Sequence, residues 1–303
     1  MLRRSRFLRR WGDAFVVAIA LALSLPTSAR AEPQIRWGIV DWPPGFILTA
    51  NLRPQNLADL GDGQFDRMIS ELAERMPQYT HRLELMNSTR LWSAISQGEP
   101  VCSGPVRKTP ERSERSHLTS AVRVAPLSLV VRTAEASAFL GPDGRASLAW
   151  LRNQTGLQGR LERERSYGAA LDALVGGERA VPREAAVRLG QATEWVAAGR
   201  SDYTLEYAHV VEYLRRTGRL RGELSTLPLK EAGEWETAYM VCPRTPWGRA
   251  AIAAIDQAIR QASGGRTFRE AYLRWMPASI RQAQQGPMNA FYDERASGGP
   301  QIE

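Results

Sequence analysis

The sequence predicts an α/β protein of two lobes, and three observations carry that expectation. Apolar runs of strand length alternate with amphipathic helical patterns from Ile35 to Trp275, the signature of strands packed under helices on both faces. The elements are too many for one small sheet, and no internal repeat of solenoid length is present. The 303 residues leave room for two bodies of about 100–150 residues each. A hydrophobic fraction of 43% with 24% charged residues excludes a disordered, collagen-like or multi-span membrane chain.

The first element is not part of that body. Arg3, Arg4, Arg6, Arg9 and Arg10 precede the apolar run Ala14 to Leu25, which Pro26 breaks and Ala29-Arg30-Ala31 closes. This basic, apolar, small-residue order reads as a cleavable signal peptide over 1–31, too short for a lasting bilayer span of about 30 Å. The formal charge of +8 and the isoelectric point near 10 would otherwise suggest a nucleic-acid or membrane-surface partner. Five of those net positive charges sit on residues 1–31. The remainder is nearly balanced, so no nucleic-acid partner and no stable membrane insertion after cleavage are expected.

Ile35 to Asp41 reads as a strand that Trp42-Pro43-Pro44-Gly45 must end, because two prolines remove ladder donors. From Gln64 to Met76, Phe65, Met68, Ile69, Leu72, Ala73 and Met76 recur at helical spacing. His81–Met86 is a second strand, Leu91–Gln97 a short helix and Val101–Val106 a third strand. Leu127–Arg132 follows as a strand, and Gly141-Pro142-Asp143-Gly144 marks a turn. Leu157–Glu162 reads as a strand, and Ser166-Tyr167-Gly168 opens a helix. A helix with Trp195 and Val196 stops at Gly199, Asp202–Glu206 is a strand, and Ala208–Arg216 is helical. Glu236–Cys242 is the last strand, followed by helices over Trp247–Ala262 and Thr267–Trp275. The polar, Gly- and Pro-containing residues 281–303 are expected to be a mobile tail.

The two cysteines, Cys102 and Cys242, lack the spacing a zinc site needs. In an oxidising compartment they form either one disulfide or two separate buried thiols. His81, His117 and His209 share no metal-ligand spacing, and there is no phosphate-loop, dinucleotide or nucleophile-elbow motif. No metal, cofactor or catalytic residue is expected. The cluster Arg215, Arg216, Arg219 and Arg221 is expected to be a solvated helix face.

Three segments resemble the family 3 periplasmic solute-binding proteins. They are Ile35 to Phe46 with the helix start Gly61-x-Gly63-x-x-Asp66; Asn87 to Trp92 with Lys108-Thr109-Pro110-Glu111-Arg112; and Gly199 to Tyr203 with the return strand Glu236 to Val241. Cys102 and the Arg-Ser-Tyr-Gly positions 165–168 make a branch without an assigned ligand the nearest match. The resemblance implies a two-lobed type II periplasmic binding protein fold with two hinge crossovers. Lobe I would span 33–125 plus 236–280, and lobe II 126–235. It also implies that the third and return strands are neighbours, which would join Cys102 to Cys242.

In such a fold the ligand sits between the lobes. Arg112 matches the arginine that grips a carboxylate through its planar fork, with Thr109 in the same loop. Asp41 stands where the family often contacts a ligand amine, and Trp42 could form an aromatic wall. Ser166, Tyr167 and Gly168, at a helix start, would offer amides to an anion. Two positions depart from the family: Arg107 replaces a small hydroxyl residue, and Glu206 stands one residue from the usual aspartate. Arg90, Arg107 and Arg112 could converge and favour a more acidic ligand.

The expected function is capture of a small polar solute, amino-acid-like or an organic anion, by a periplasmic monomer serving an ABC permease. Alternatives are a dehydratase-like enzyme on the same fold, with Glu206 or Asp41 as general acid or base, and a sensor or accessory protein.

Overall fold

The computed structural model describes residues 33–48, 53–163, 165–177, 179–186 and 190–303. The expected signal peptide lies outside the described residues. Strand β1 (Gln34–Ile39) buries Ile35, Trp37 and Ile39 and then gives way to the Pro43-Pro44 turn. Helix α1 (Gln64–Glu74) carries the chain to β2 (Thr80–Leu85), and α2 (Ser88–Ser96) carries it to β3 (Val101–Arg107); both strands pair with β1 in parallel. Parallel neighbours need such crossovers, and the helical stripe of α1 seals the sheet face with Met68, Ile69 and Leu72. Asp66 fixes the start of α1 by accepting from the Ile47 and Gly63 amides.

After β3 come a short helix, α3 (Pro110–Arg115), and a long strand, β4 (Ser116–Val124). Neither was legible as an element, because β4 is buried on both faces except at Arg123 and so shows no apolar–polar alternation. The chain then enters the second lobe with β5 (Ser128–Arg132). There follow α4 (Leu148–Leu151), β6 (Leu161–Glu162), α5 (Ala169–Val175), β7 (Arg183–Glu184), α6 (Gln191–Ala197), β8 (Tyr203–Glu206), α7 (Ala208–Arg216) and β9 (Leu224–Pro228). The expected strand over Leu157–Glu162 shrinks to β6, with Gly159 bridging to Tyr203. Strand β10 (Glu236–Pro243) returns to the first sheet, antiparallel between β3 and β4.

The first lobe is therefore a five-stranded mixed sheet, β2-β1-β3-β10-β4, and the second is built on an antiparallel sheet, β8-β5-β9. Each has its own apolar core: Trp37, Met68, Ile255 and Phe268 in the first, Leu129, Val131, Tyr203 and Leu214 in the second. Helices α8 (Pro246–Ser263) and α9 (Arg266–Leu273) complete the first lobe. No helix among the described residues is long and apolar enough to cross a membrane.

The C-terminal residues correct the expectation of a mobile tail. They form α10 (Ala278–Ser297), which buries Met288, Tyr292 and Arg295, and end in a bridge between Ile302 and Thr119 beside the edge strand β4. Their polar composition conceals three inward side chains that pack on α8 and α9, so tertiary contact overrides the local signal.

Neighbouring β3 and β10 bring Cys102 and Cys242 together in a disulfide spanning 140 residues of sequence. Denatured, unreduced protein should show no titratable thiol. Reduction should lower the unfolding free energy by about 2–5 kcal/mol, read as a drop in the urea midpoint; two free thiols before reduction would contradict the pairing.

Candidate functional site

The loop after β1 and the end of β3 reach from the first lobe to the second. Trp42 stands half out of the surface with its ring 6.5 Å from that of Tyr207, the residue before α7. Asp41 beside it is exposed and makes no hydrogen bond or ion pair among the described residues. The Arg107 guanidinium ends β3, lies 5.9 Å from the Tyr207 ring centroid and pairs with Glu236 at 3.0 Å. Its Nη1 would be 2.8 Å from a Cβ placed on Gly168, whose φ of +93° already favours glycine. Trp42, Arg107, Gly168 and Tyr207 thus meet where the lobes meet.

Arg112 is held beside them by the local sequence. Thr109 caps α3 by accepting from the Arg112 amide at 3.2 Å, with Pro110 following as a pre-organised first helical residue. The Arg112 Nη1 donates to the Arg107 carbonyl at 2.7 Å, and its guanidinium covers the Trp92 ring at 4.4 Å. Glu111 pairs with Arg115 instead, and Arg112 has no carboxylate partner among the described residues. Burial pulls the Arg112 pKa below its ordinary value; Glu111 works against that shift and the Arg107 charge adds to it. A guanidinium in this position retains N–H groups for an incoming anion.

Other expected residues are committed elsewhere. Arg90 does not join the other two arginines: it pairs with Glu84 on β2, which also holds Arg36. The donors at Ser166 and Tyr167 are consumed within the chain. Ser166 Oγ donates to Asp172 Oδ2 at 2.6 Å, the Tyr167 amide donates to the same carboxylate, and the Gly168 amide donates to Ser166 Oγ. Burial works to raise the Asp172 pKa, but these bonds and Arg183 hold it below the usual carboxylate range. The Tyr167 side chain faces the core, where its hydroxyl accepts from the Glu162 amide at 2.9 Å.

Glu206 is 1% exposed and is clamped by Arg165 through two bonds of 2.6 Å, with the Tyr207 amide donating to it as well. Arg165 also reaches Glu162 at 3.2 Å, and its guanidinium lies 5.1 Å from the Tyr167 ring and 5.9 Å from Tyr207. Arg165, Tyr207, Trp92 and Glu236 were not among the binding residues expected from the sequence. Arg165 and Tyr207 each adjoin a residue that was, but only the return of β8 beside the 165–168 loop shows that they matter.

Behind Tyr207 the lobe junction continues as a column of rings. His209 stacks on Tyr207 at 5.2 Å and meets Tyr272 of the first lobe edge-on at 5.5 Å. Burial, helped by the Arg165 charge, pushes the His209 pKa down to about 3, so the ring is neutral. His81 accepts from the Trp37 indole. Among the described residues no group of three His, Cys, Asp or Glu could hold a metal ion. The basic cluster on the second lobe lies on a solvated face, as expected, with its charges partly neutralised there: Arg215 and Arg216 pair with Glu212, and Arg219 with Glu194.

No protein-family model matches the chain. No curated protein sequence matches it either. Solved structures do. The probable amino-acid ABC transporter extracellular-binding protein from Bacillus subtilis superposes with a TM-score of 0.62 at 16% identity, covering 82% of this chain and 98% of that one. An ancestral arginine-binding protein bound to arginine gives 0.59 at 14% identity, over 81% of this chain and 99% of that one. A histidine kinase sensor domain with similarity to periplasmic binding proteins gives 0.59 at 16%, over 80% and 95%. With one main sheet in each lobe, two crossovers and these superpositions, the chain has the two-lobed fold of the type II periplasmic binding proteins.

Proposed function

We propose that this is a periplasmic solute-binding protein whose lobes close on a small polar solute carrying an anionic group. The observation that carries the reading is Arg112: a half-buried guanidinium at the lobe junction, positioned by Thr109, Trp92 and the Arg107 carbonyl, and lacking a carboxylate of its own. An anion on Arg112, packed between Trp42 and Tyr207, would touch both lobes at once. Its binding energy would then favour the closed arrangement. The first lobe, 33–125 with 236–303, and the second, 126–235, would rotate about the crossovers near residues 125–127 and 229–235.

Capture without turnover is favoured over dehydratase-like chemistry, because Glu206 is committed to Arg165 and Asp41 is exposed to solvent rather than enclosed at the junction. The protein would act as a monomer in the periplasm and hand its solute to an ABC permease. The test is a thermal-shift screen of residues 32–303 against amino acids, organic acids and polyamines. A bound solute at a hundred times its Kd should stabilise the protein by about 2.7 kcal/mol, and Arg112→Ala should remove that stabilisation. Retention of the full shift in Arg112→Ala would refute the assignment.

A further inference from the structure

The pairing of charges at the lobe junction narrows the ligand. A cationic or amino-bearing solute needs a buried carboxylate or an open aromatic face to replace its hydration. An ammonium that loses water without such a partner pays several kcal/mol. Among the described residues, the buried and half-buried carboxylates around the 165–168 loop of the second lobe are already taken by the chain itself. Glu206 is clamped by Arg165 and the Tyr207 amide, Glu162 is reached by Arg165, and Asp172 is shared by Ser166, the Tyr167 amide and Arg183. Glu236 across the junction holds Arg107.

Two of the aromatic faces follow the same rule: Tyr207 has Arg107 and Arg165 near its ring, and Trp92 has Arg112. Trp42, 36% exposed, has no cation over its ring among the described residues and stands in solvent beside Asp41. Two of the charged residues expected at the site have no ion-pair partner among the described residues. One is Arg112, half-buried and bonded only to a neutral carbonyl and a ring. The other is Asp41, which is exposed and keeps its water. The buried part of the junction is therefore saturated with internal cations, and its remaining demand is for an anion.

We infer that the ligand is a carboxylate without an amino group, and that Arg165 sets this selectivity by occupying the carboxylate an α-ammonium would otherwise use. The inference rests on the solute-binding reading above. A site whose polar groups fit one partner commonly rejects a mismatched analogue by factors of about 100 or more, so a des-amino acid should bind roughly 100-fold more tightly than its amino counterpart.

The experiment uses matched pairs: succinate with aspartate and glutarate with glutamate, titrated calorimetrically into residues 32–303 refolded free of bound solute. Tighter binding of the des-amino member of a pair supports the inference. Equal or tighter binding of the amino acid overturns it while leaving the solute-binding reading intact, and loss of that binding in Asp41→Asn would identify Asp41 as the ammonium acceptor. No binding by any of the four acids overturns the inference, and the thermal-shift screen separately decides whether the protein binds other solutes. Arg165→Met frees Glu206 and should raise affinity for aspartate or glutamate at least tenfold; Arg165→Met with Glu206→Gln should not. Because Arg165→Met can unfold the protein, the wild-type pair comparison decides the question by itself.

Discussion

Replacing Arg165 with alanine is expected to destabilise the fold by about 3–5 kcal/mol, the usual result of removing one member of a buried ion pair. Its guanidinium is the cation for two carboxylates that are themselves buried, Glu206 and Glu162. The variant would leave both without a counter-charge inside the second lobe, against Tyr167 and Tyr207. The effect has a direction in pH. Burial already pushes the Glu162 pKa above its ordinary value, with Arg165 opposing that shift and the Glu206 charge adding to it. Without the guanidinium the native pKa rises further. A carboxylate with a raised native pKa keeps its folded-state stability at low pH and loses it as pH rises through that value. The deficit of Arg165→Ala should therefore be smaller near pH 5 than near pH 8. Urea denaturation of both proteins at the two pH values checks this, and a loss below about 1 kcal/mol at pH 8 would contradict a buried pair.

Removing the positive charge of Arg295, as Arg295→Met, is expected to destabilise the first lobe by a similar amount, about 3–5 kcal/mol. Arg295 and Asp256 are each 1% exposed and pair at 2.8 Å, with Thr119 donating to the same carboxylate oxygen at 2.7 Å and the Gln301 amide at 3.2 Å. Arg260 bonds the other oxygen. Burial works to raise the Asp256 pKa, but the bonds from Arg295, Thr119 and Gln301 outweigh it and hold it below its ordinary value. A depressed native pKa contributes stability above the unfolded value that is lost as pH falls through the folded one. Arg295→Met should therefore also weaken the acid-side dependence of stability. Deleting residues 278–303 should be worse: it removes Tyr292 and Met288 from the core, strips Asp256 of two donors and uncovers the edge of β4. Chemical denaturation across pH 3–7 measures the first effect. For the deletion, a normal cooperative transition would show that α10 is dispensable.

How far the fold was legible depended on whether an element carried its own pattern. Helix α1 announced itself because its apolar residues recur at helical spacing, and α7 matched its expected range because an amphipathic stripe sits next to a clean strand. Strand β4, buried on both faces, had no alternation to read. Helix α10 looked like a tail because only Met288, Tyr292 and Arg295 turn inward. The site divides similarly. Arg112 and Thr109 were expected at the site because they match a family segment, whereas the Thr109 cap of α3 that positions Arg112 appeared only in the structure. The commitment of Arg90 to Glu84, of Ser166 to Asp172 and of Glu206 to Arg165 could not be read from the sequence either.

The sequence by itself determined the alternation of strands and helices, which follows from periodicity acting over a few residues at a time; the joining of Cys102 to Cys242 and the choice of Arg112 as the leading candidate for an anion were what its resemblance to a family implied. Only the tertiary structure decided which charges remain available at the lobe junction. Arg165 and Glu206 are 41 residues apart, and whether a buried charge is neutralised depends on what folding brings within about 4 Å of it, where Coulomb attraction can offset lost hydration.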